Sequence, residues 1–150
     1  MEQPISTINR ARWSFFLRAL AQEVDAYGGP EGRDVLLRGI GKRLATMLPL
    51  PEVSSLEAFE LEINAVLADL GWGRCALALD KGERCIVISH TGMPVIGSNG
   101  EPAGAWLVAA LEGLYGAWLM NHPDCGDGFS IRRQSVEAGG DIVLNFQCQQ

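Results

Sequence analysis

The chain has 150 residues, 47% of them hydrophobic and 20% charged, which suits one folded domain with a real core and excludes a disordered chain. Twelve basic against eighteen acidic residues leave a net charge of −6, so neither nucleic acid nor an anionic membrane is expected as the main partner, since both select basic surfaces. Residues 1–12 lack the apolar run of a secretory signal, and from this a cytoplasmic location is expected, with the periplasm as the alternative.

Residues 1–12 are polar, include Pro4, Asn9, Arg10 and Arg12, and read as a flexible N-terminal arm; residues 13–150 read as a single domain. From Trp13 the pattern turns helical, with Phe16, Leu17, Leu20, Ala21 and Val24 at i+3, i+4, i+7, i+8 and i+11. Gly28-Gly29-Pro30 ends that helix. A second, from about Glu31 to Leu48, is predicted to turn Val35, Leu36, Ile40, Leu44 and Met47 inward. Arg38, Lys42 and Arg43 near its end form a solvated face that suits the helix dipole, in preference to a ligand-binding cluster.

After Pro49-Leu50-Pro51 a third helix is predicted, capped by Ser54 with Glu57 completing a capping box. Leu56, Phe59, Ile63, Val66, Leu67 and Leu70 form its apolar stripe, and Gly71 closes it in the left-handed conformation. Asn64 and Trp72 are candidates for sugar contact, with Trp72 as a core lid over the helix end the favoured reading. Arg74 to Asp80 and Glu83 to His90 read as a hairpin turning near Lys81-Gly82. A two-residue loop pairs Leu79 with Arg84, Leu77 with Ile86 and Cys75 with Ile88, placing Cys75 and Cys85 on opposite faces, out of disulfide reach.

Gly97 to Pro102 reads as a loop leading into a helix from Ala103 to Met120 whose only ionisable side chains are Glu112 and Tyr115. Leu107, Leu111, Leu114 and Trp118 form one apolar stripe, with Trp106 beside it. Ala109, Gly113, Gly116 and Ala117 form a line of small residues, and glycine costs about 1 kcal/mol in a helix relative to alanine. Close approach of another backbone supplies the reason. The helix is expected to be buried nearly all round, in a core or an oligomer interface, with Trp106, Ala109, Gly113, Gly116 and Trp118 as its packing residues. It is too short and too rich in glycine to span a bilayer. Gly128 to Gln134 and Ile142 to Cys148 complete the chain as two further strands, so the fold class is α+β: N-terminal helices and a long buried helix on an antiparallel sheet of about four strands in two hairpins.

Gly100-Glu101-Pro102-Ala103-Gly104-x-Trp106-Leu107 followed by Leu111-Glu112-Gly113-Leu114-Tyr115-Gly116-x-Trp118 resembles the signature of cellulose synthase operon protein D, the accessory D subunits of bacterial cellulose secretion. Phe16 to Leu20 with Glu23-Val24-Asp25, Leu36-Leu37-Arg38 with Ile40-Gly41, and Glu62 to Leu67 leading to Trp72-Gly73 are similar to the same family. The resemblance implies a non-enzymatic subunit of a ring-shaped homo-octamer, linked to the ordering of new glucan chains into crystalline cellulose. Its expected partners are further copies of itself, subunits of the cellulose synthase complex or another accessory protein, and, in the alternative reading, nascent glucan chains threading passages in the ring. Asn9, Arg10, Arg12 and Trp13 are the candidate residues for glucan or partner contact.

Chemistry is scarce. Cys75, Cys85, Cys125 and Cys148 show no C-x-x-C spacing, so a zinc site is not expected and the thiols read as reduced. His122-Pro123-Asp124-Cys125 reads as a helix-ending turn, since neighbours in sequence rarely achieve catalytic geometry. Asp124 and Asp127 fall short of a calcium loop, and Gly97-x-x-Gly100-x-x-x-Gly104 lacks the Gly-Lys-Ser/Thr ending of a phosphate loop. Glu101 and Glu112 as a glycosidase pair need a cleft that nothing in the sequence advertises, and Glu112 reads better as the buried partner of a basic group or a backbone N–H. No cofactor or metal is expected. A small glycan-active enzyme is the minor alternative.

Overall fold

The computed structural model describes residues 7–93, 105–120, 128–137 and 141–149. Of three α-helices, α1 (Thr7–Met47), α2 (Leu56–Leu70) and α3 (Val108–Met120), α2 and α3 pack on a four-stranded antiparallel sheet and α1 packs on α3. Its strands are β1 (Arg74–Asp80), β2 (Cys85–Thr91), β3 (Gly128–Val136) and β4 (Ile142–Gln149), in the order β1-β2-β4-β3. The expected α+β class is the one found.

α1 is two limbs joined at Gly29, whose φ of 61° and ψ of −170° break the helix where Gly28-Gly29-Pro30 predicts a stop. That conformation is open to glycine and closed to residues with a Cβ. Pro30 then starts the second limb, where its fixed φ suits a first helical position. The helical backbone reaches back to Thr7, into the segment expected to be an arm.

The second limb turns the other way from the one its aliphatic pattern predicts. Arg33, Leu37, Gly41 and Ala45 are buried, whereas Val35, Leu36, Ile40 and Met47 are exposed. The reason is the crossing with α3. A Cβ on Gly41 would stand 2.1 Å from the Ala110 carbonyl oxygen, so the two backbones meet where the side chain is smallest. Closeness at Gly41 fixes the rotation of the limb and leaves most of its aliphatic stripe outside, while Leu44 stays half-buried against the core.

α2 is capped one residue later than expected. Ser55, not Ser54, takes the extended N-cap conformation and its Oγ accepts from the Ala58 N–H at 3.1 Å. The third helical position is therefore Ala58 rather than Glu57, and no capping box forms. Gly71 ends the helix in the left-handed conformation, with its own N–H and that of Trp72 donating to Ala68 and Leu67. Phe59, Ile63 and Leu67 bury the inner stripe.

The β1–β2 connection is longer than the two residues expected. Leu79 pairs with Ile86, Leu77 with Ile88 and Cys75 with His90. Asp80 Oδ1 accepts from the N–H groups of Gly82 and Glu83, and Arg84 takes φ 53°, which closes a four-residue loop. The shift is even, so the faces are preserved and Cys75 and Cys85, both free thiols, lie on opposite sides of the sheet. The inner face carries Ile88, His90, Ile142, Leu144 and Phe146 onto α2 and α3.

Each sheet edge is closed to further pairing by a different device. At β1, Asn64 of α2 accepts from the Cys75 N–H at 2.8 Å and donates to the Cys75 carbonyl at 3.0 Å, while Glu60 accepts from the Leu77 N–H at 2.9 Å. At β3, a bulge between Arg133 and Ser135 interrupts the ladder.

Candidate functional site

α3 is enclosed within one chain. Ala109, Ala110, Leu111, Leu114 and Tyr115 have no exposed surface. Gly113 lies against α1, Gly116 against the Phe129 ring of β3, and that ring stacks on Phe146 with centroids 5.4 Å apart. The Trp118 indole donates to the Leu48 carbonyl at 3.0 Å and meets Tyr115 edge to face. Trp106 donates to Asp25 Oδ1 at 3.1 Å, across to the first limb of α1. These packing residues are thus used inside the subunit. Helical periodicity assigns no role to their main counterpart, Gly41; the signal available is a glycine inside a predicted helix.

Glu112 anchors an ion network at the junction of α1, α3 and β3. Its side chain is 5% exposed, and Oε1 accepts from Arg133 Nε at 2.9 Å and Nη2 at 2.7 Å. Arg133 Nη2 also donates to Asp34 Oδ2 at 2.9 Å, and Arg38 Nη2 lies 3.6 Å from Glu112. Register puts Arg133 opposite Leu144, on the inner face, which aims it at α3. Arg33 joins Asp34 at 3.4 Å to Asp25 at 3.7 Å, so the network spans the kink and ties the first limb to the second. Every named charge faces one of opposite sign, as burial demands. Glu112 is therefore the buried partner of a basic group, and its surroundings are those of a structural ion pair.

A second buried polar chain runs between sheet and helix. His90 Nε2 lies 2.6 Å from the Trp72 carbonyl oxygen and must donate to it, so Nδ1 accepts from the Tyr115 hydroxyl at 2.5 Å. The buried Cys75 thiol lies beside Tyr115 in the same layer. Burial lowers the His90 pKa, and the bond to Trp72 opposes that only in part. Burial also pushes the Cys75 thiol up to about 11 and the Tyr115 phenol well above its ordinary value. All three are buried and held neutral, so the chain fixes the sheet to α3. Asn64 and Trp72 are likewise committed, one to the β1 edge and the other to packing and to His90.

Among the described residues, most of the large exposed apolar side chains lie on the outside of α1. Along the first limb Trp13 is 60%, Phe15 73% and Tyr27 85% exposed, and Trp13 meets Phe16 edge to face at 5.6 Å. Asn9, Arg10 and Arg12 have helical backbone on the same limb, and their side chains lie outside the described residues. Phe15 and Tyr27, which fall off the apolar stripe of the sequence, extend the candidate set beyond Trp13. Elsewhere, a cavity of about 570 Å³ lies beneath Pro49-Leu50-Pro51, with Thr46 and Glu52 at its rim and Phe59, Ala117 and Trp118 in its lining. Among the described residues no group of three or more His, Cys, Asp or Glu is placed to hold a metal ion, and no helix is long and apolar enough to cross a membrane. Gly97 to Gly104, with Glu101, and His122 to Asp127 lie outside the described residues.

Residues 4–147 match the profile of a family described as the D subunit of cellulose synthase. The chain is 38% identical over 130 residues to cellulose synthase operon protein D of Komagataeibacter xylinus, covering 86% of this chain and 83% of the relative. The same figures hold for the protein of that name from Komagataeibacter sucrofermentans. Another Komagataeibacter xylinus sequence is 38% identical over 121 residues, 81% of this chain and 78% of that one.

Proposed function

Because the chain belongs to the family of cellulose synthase D subunits, we propose that it is a non-catalytic accessory subunit of the bacterial cellulose synthase complex, a self-associating scaffold that promotes ordered glucan export. Membership supports a role in cellulose synthesis. The scaffold reading rests on one observation, the uncovered apolar outside of α1, beside a core that is complete without it. Large side chains exposed in such number along one helix mark an interaction surface. Assembled as a ring, up to the octamer that the resemblance implies, the subunit holds several synthase units in a row so that their glucans emerge together and crystallise. The proposal places this scaffold in the cytoplasm, on synthase cytosolic domains or another accessory protein.

Deleting the protein is expected to lower the yield or crystalline order of cellulose while purified synthase still polymerises glucose from its nucleotide donor. Loss of polymerisation that returns on adding this subunit alone overturns the scaffold reading in favour of a catalytic cofactor role. The alternative, a ring that guides glucan directly in the envelope, draws on the exposed Trp13, Phe15 and Tyr27, since aromatic faces stack on pyranose rings. Fractionation of cells carrying an intact fusion protein separates the two by compartment.

A further inference from the structure

The second limb of α1 carries a surface that nothing among the described residues explains. At 3.6 residues per turn Gly32, Leu36, Gly39 and Arg43 share one face, away from the buried Arg33, Leu37, Gly41 and Ala45. Val35 is 69%, Leu36 49% and Met47 72% exposed beside them. Glycine is the poorest helix former after proline. Gly41 has its reason in the Ala110 backbone, yet a Cβ on Gly39 would meet nothing within 4 Å. A notch flanked by exposed aliphatic side chains is the shape left when the packing partner is another chain.

We propose that two copies of the chain meet here as an antiparallel pair of α1 limbs about a two-fold axis, Val35 and Leu36 of each copy seated over Gly39 of the other. The inference rests on the self-association proposed above and names the surface that makes it. Charge sets the direction. Glu31 and Lys42, both exposed, are eleven residues apart and so lie on one edge of the helix, about three turns from each other. In the antiparallel register that brings Val35 and Leu36 over Gly39, Glu31 of each copy falls beside Lys42 of the other, and the contact occurs twice by symmetry. A parallel pair would set Lys42 and Arg43 against their own copies. Steric fit and charge therefore select the same register independently.

Sedimentation equilibrium of the full chain at low salt tests the pairing. Glu31→Lys or Lys42→Glu alone is expected to weaken association about threefold to tenfold, the combined variant to restore it, and 0.5 M salt to narrow these differences. Gly39→Leu fills the notch and is expected to weaken association about tenfold or more while leaving the melting temperature of the separated subunit no lower, since the site is open within the chain. An oligomer indifferent to all three changes overturns this interface and leaves the self-association reading standing. A chain that sediments as a monomer at every concentration overturns both.

Discussion

Gly113 of α3 lies directly on the backbone of Arg38 in α1: a Cβ there would stand 2.2 Å from the Arg38 carbonyl oxygen and 3.0 Å from its Cα. Gly41 makes the reciprocal contact on the other helix. The atoms in the way are main chain, which cannot turn aside as a side-chain tip can. Gly113→Leu is therefore expected to destabilise the fold by at least about 1–3 kcal/mol, read as a drop in melting temperature. Unchanged melting of that variant removes the close-packing account of α3.

The ion network makes a second prediction. Arg133→Met leaves Glu112 buried, with only the more distant Arg38 to face it. Removing one partner of a buried pair typically costs about 3–5 kcal/mol, and the partial exposure of Arg133 reduces that to about 2–3 kcal/mol. Arg133→Met combined with Glu112→Leu is expected to recover most of the loss. Urea midpoints of the three variants check this; a double variant as weak as the single one points to shape rather than charge at the junction.

The His90 chain predicts an acid-sensitive fold. Burial lowers the folded-state pKa below the unfolded value of about 6.5. The stabilisation from keeping His90 neutral is complete above that value and is lost as the pH falls from it through the folded pKa, because the unfolded chain then binds a proton that the fold resists. Urea midpoints are expected to fall between pH 7 and 5.5, and less steeply in His90→Gln. Cys75 and Tyr115 work in the opposite direction: their raised values hold stability at lower pH that declines once the pH climbs past the unfolded thiol. Equal slopes in wild type and His90→Gln at the acid end exclude this histidine as the source.

The run from Trp106 to Met120 was legible because almost nothing in it can face water, and its glycines announced a close neighbour. Burial of Glu112 against a basic group followed from one carboxylate in such a run. The rotation of the second limb of α1 was not legible. Val35, Leu36 and Ile40 count as apolar and Gly41 and Ala45 hardly register, so periodicity pointed the larger side chains inward. Backbone closeness at Gly41 decided the opposite. The hairpin loop departs from expectation for a local reason: the Asp80 carboxylate holding two N–H groups and Arg84 at positive φ build a longer turn than Lys81-Gly82 suggests. The helical cap on Ser55 rather than Ser54 was a choice between adjacent serines that composition alone does not separate.

The last prediction concerns the exposed aromatic residues of the first limb. Trp13, Phe15 and Tyr27 are largely exposed, whereas Ala21 of the same limb is buried and Asp25 is tied to Trp106. Replacing the three aromatics together by serine therefore removes little that holds the subunit together. Changes at exposed positions usually stay within about 0.5 kcal/mol each, so melting temperature is expected to move by only a few degrees. If the second limb carries self-association, the sedimentation of this triple variant should also match wild type. Cellulose made in cells carrying it is the discriminating readout. Under the proposed function the first limb meets glucan or a partner of the synthase complex, and that cellulose is expected to be less crystalline although the assembly is intact. A variant that instead falls apart assigns these aromatics to the subunit interface. Cellulose equal to wild type in amount and diffraction shows that these three aromatics, Trp13 included, contact nothing that matters to export.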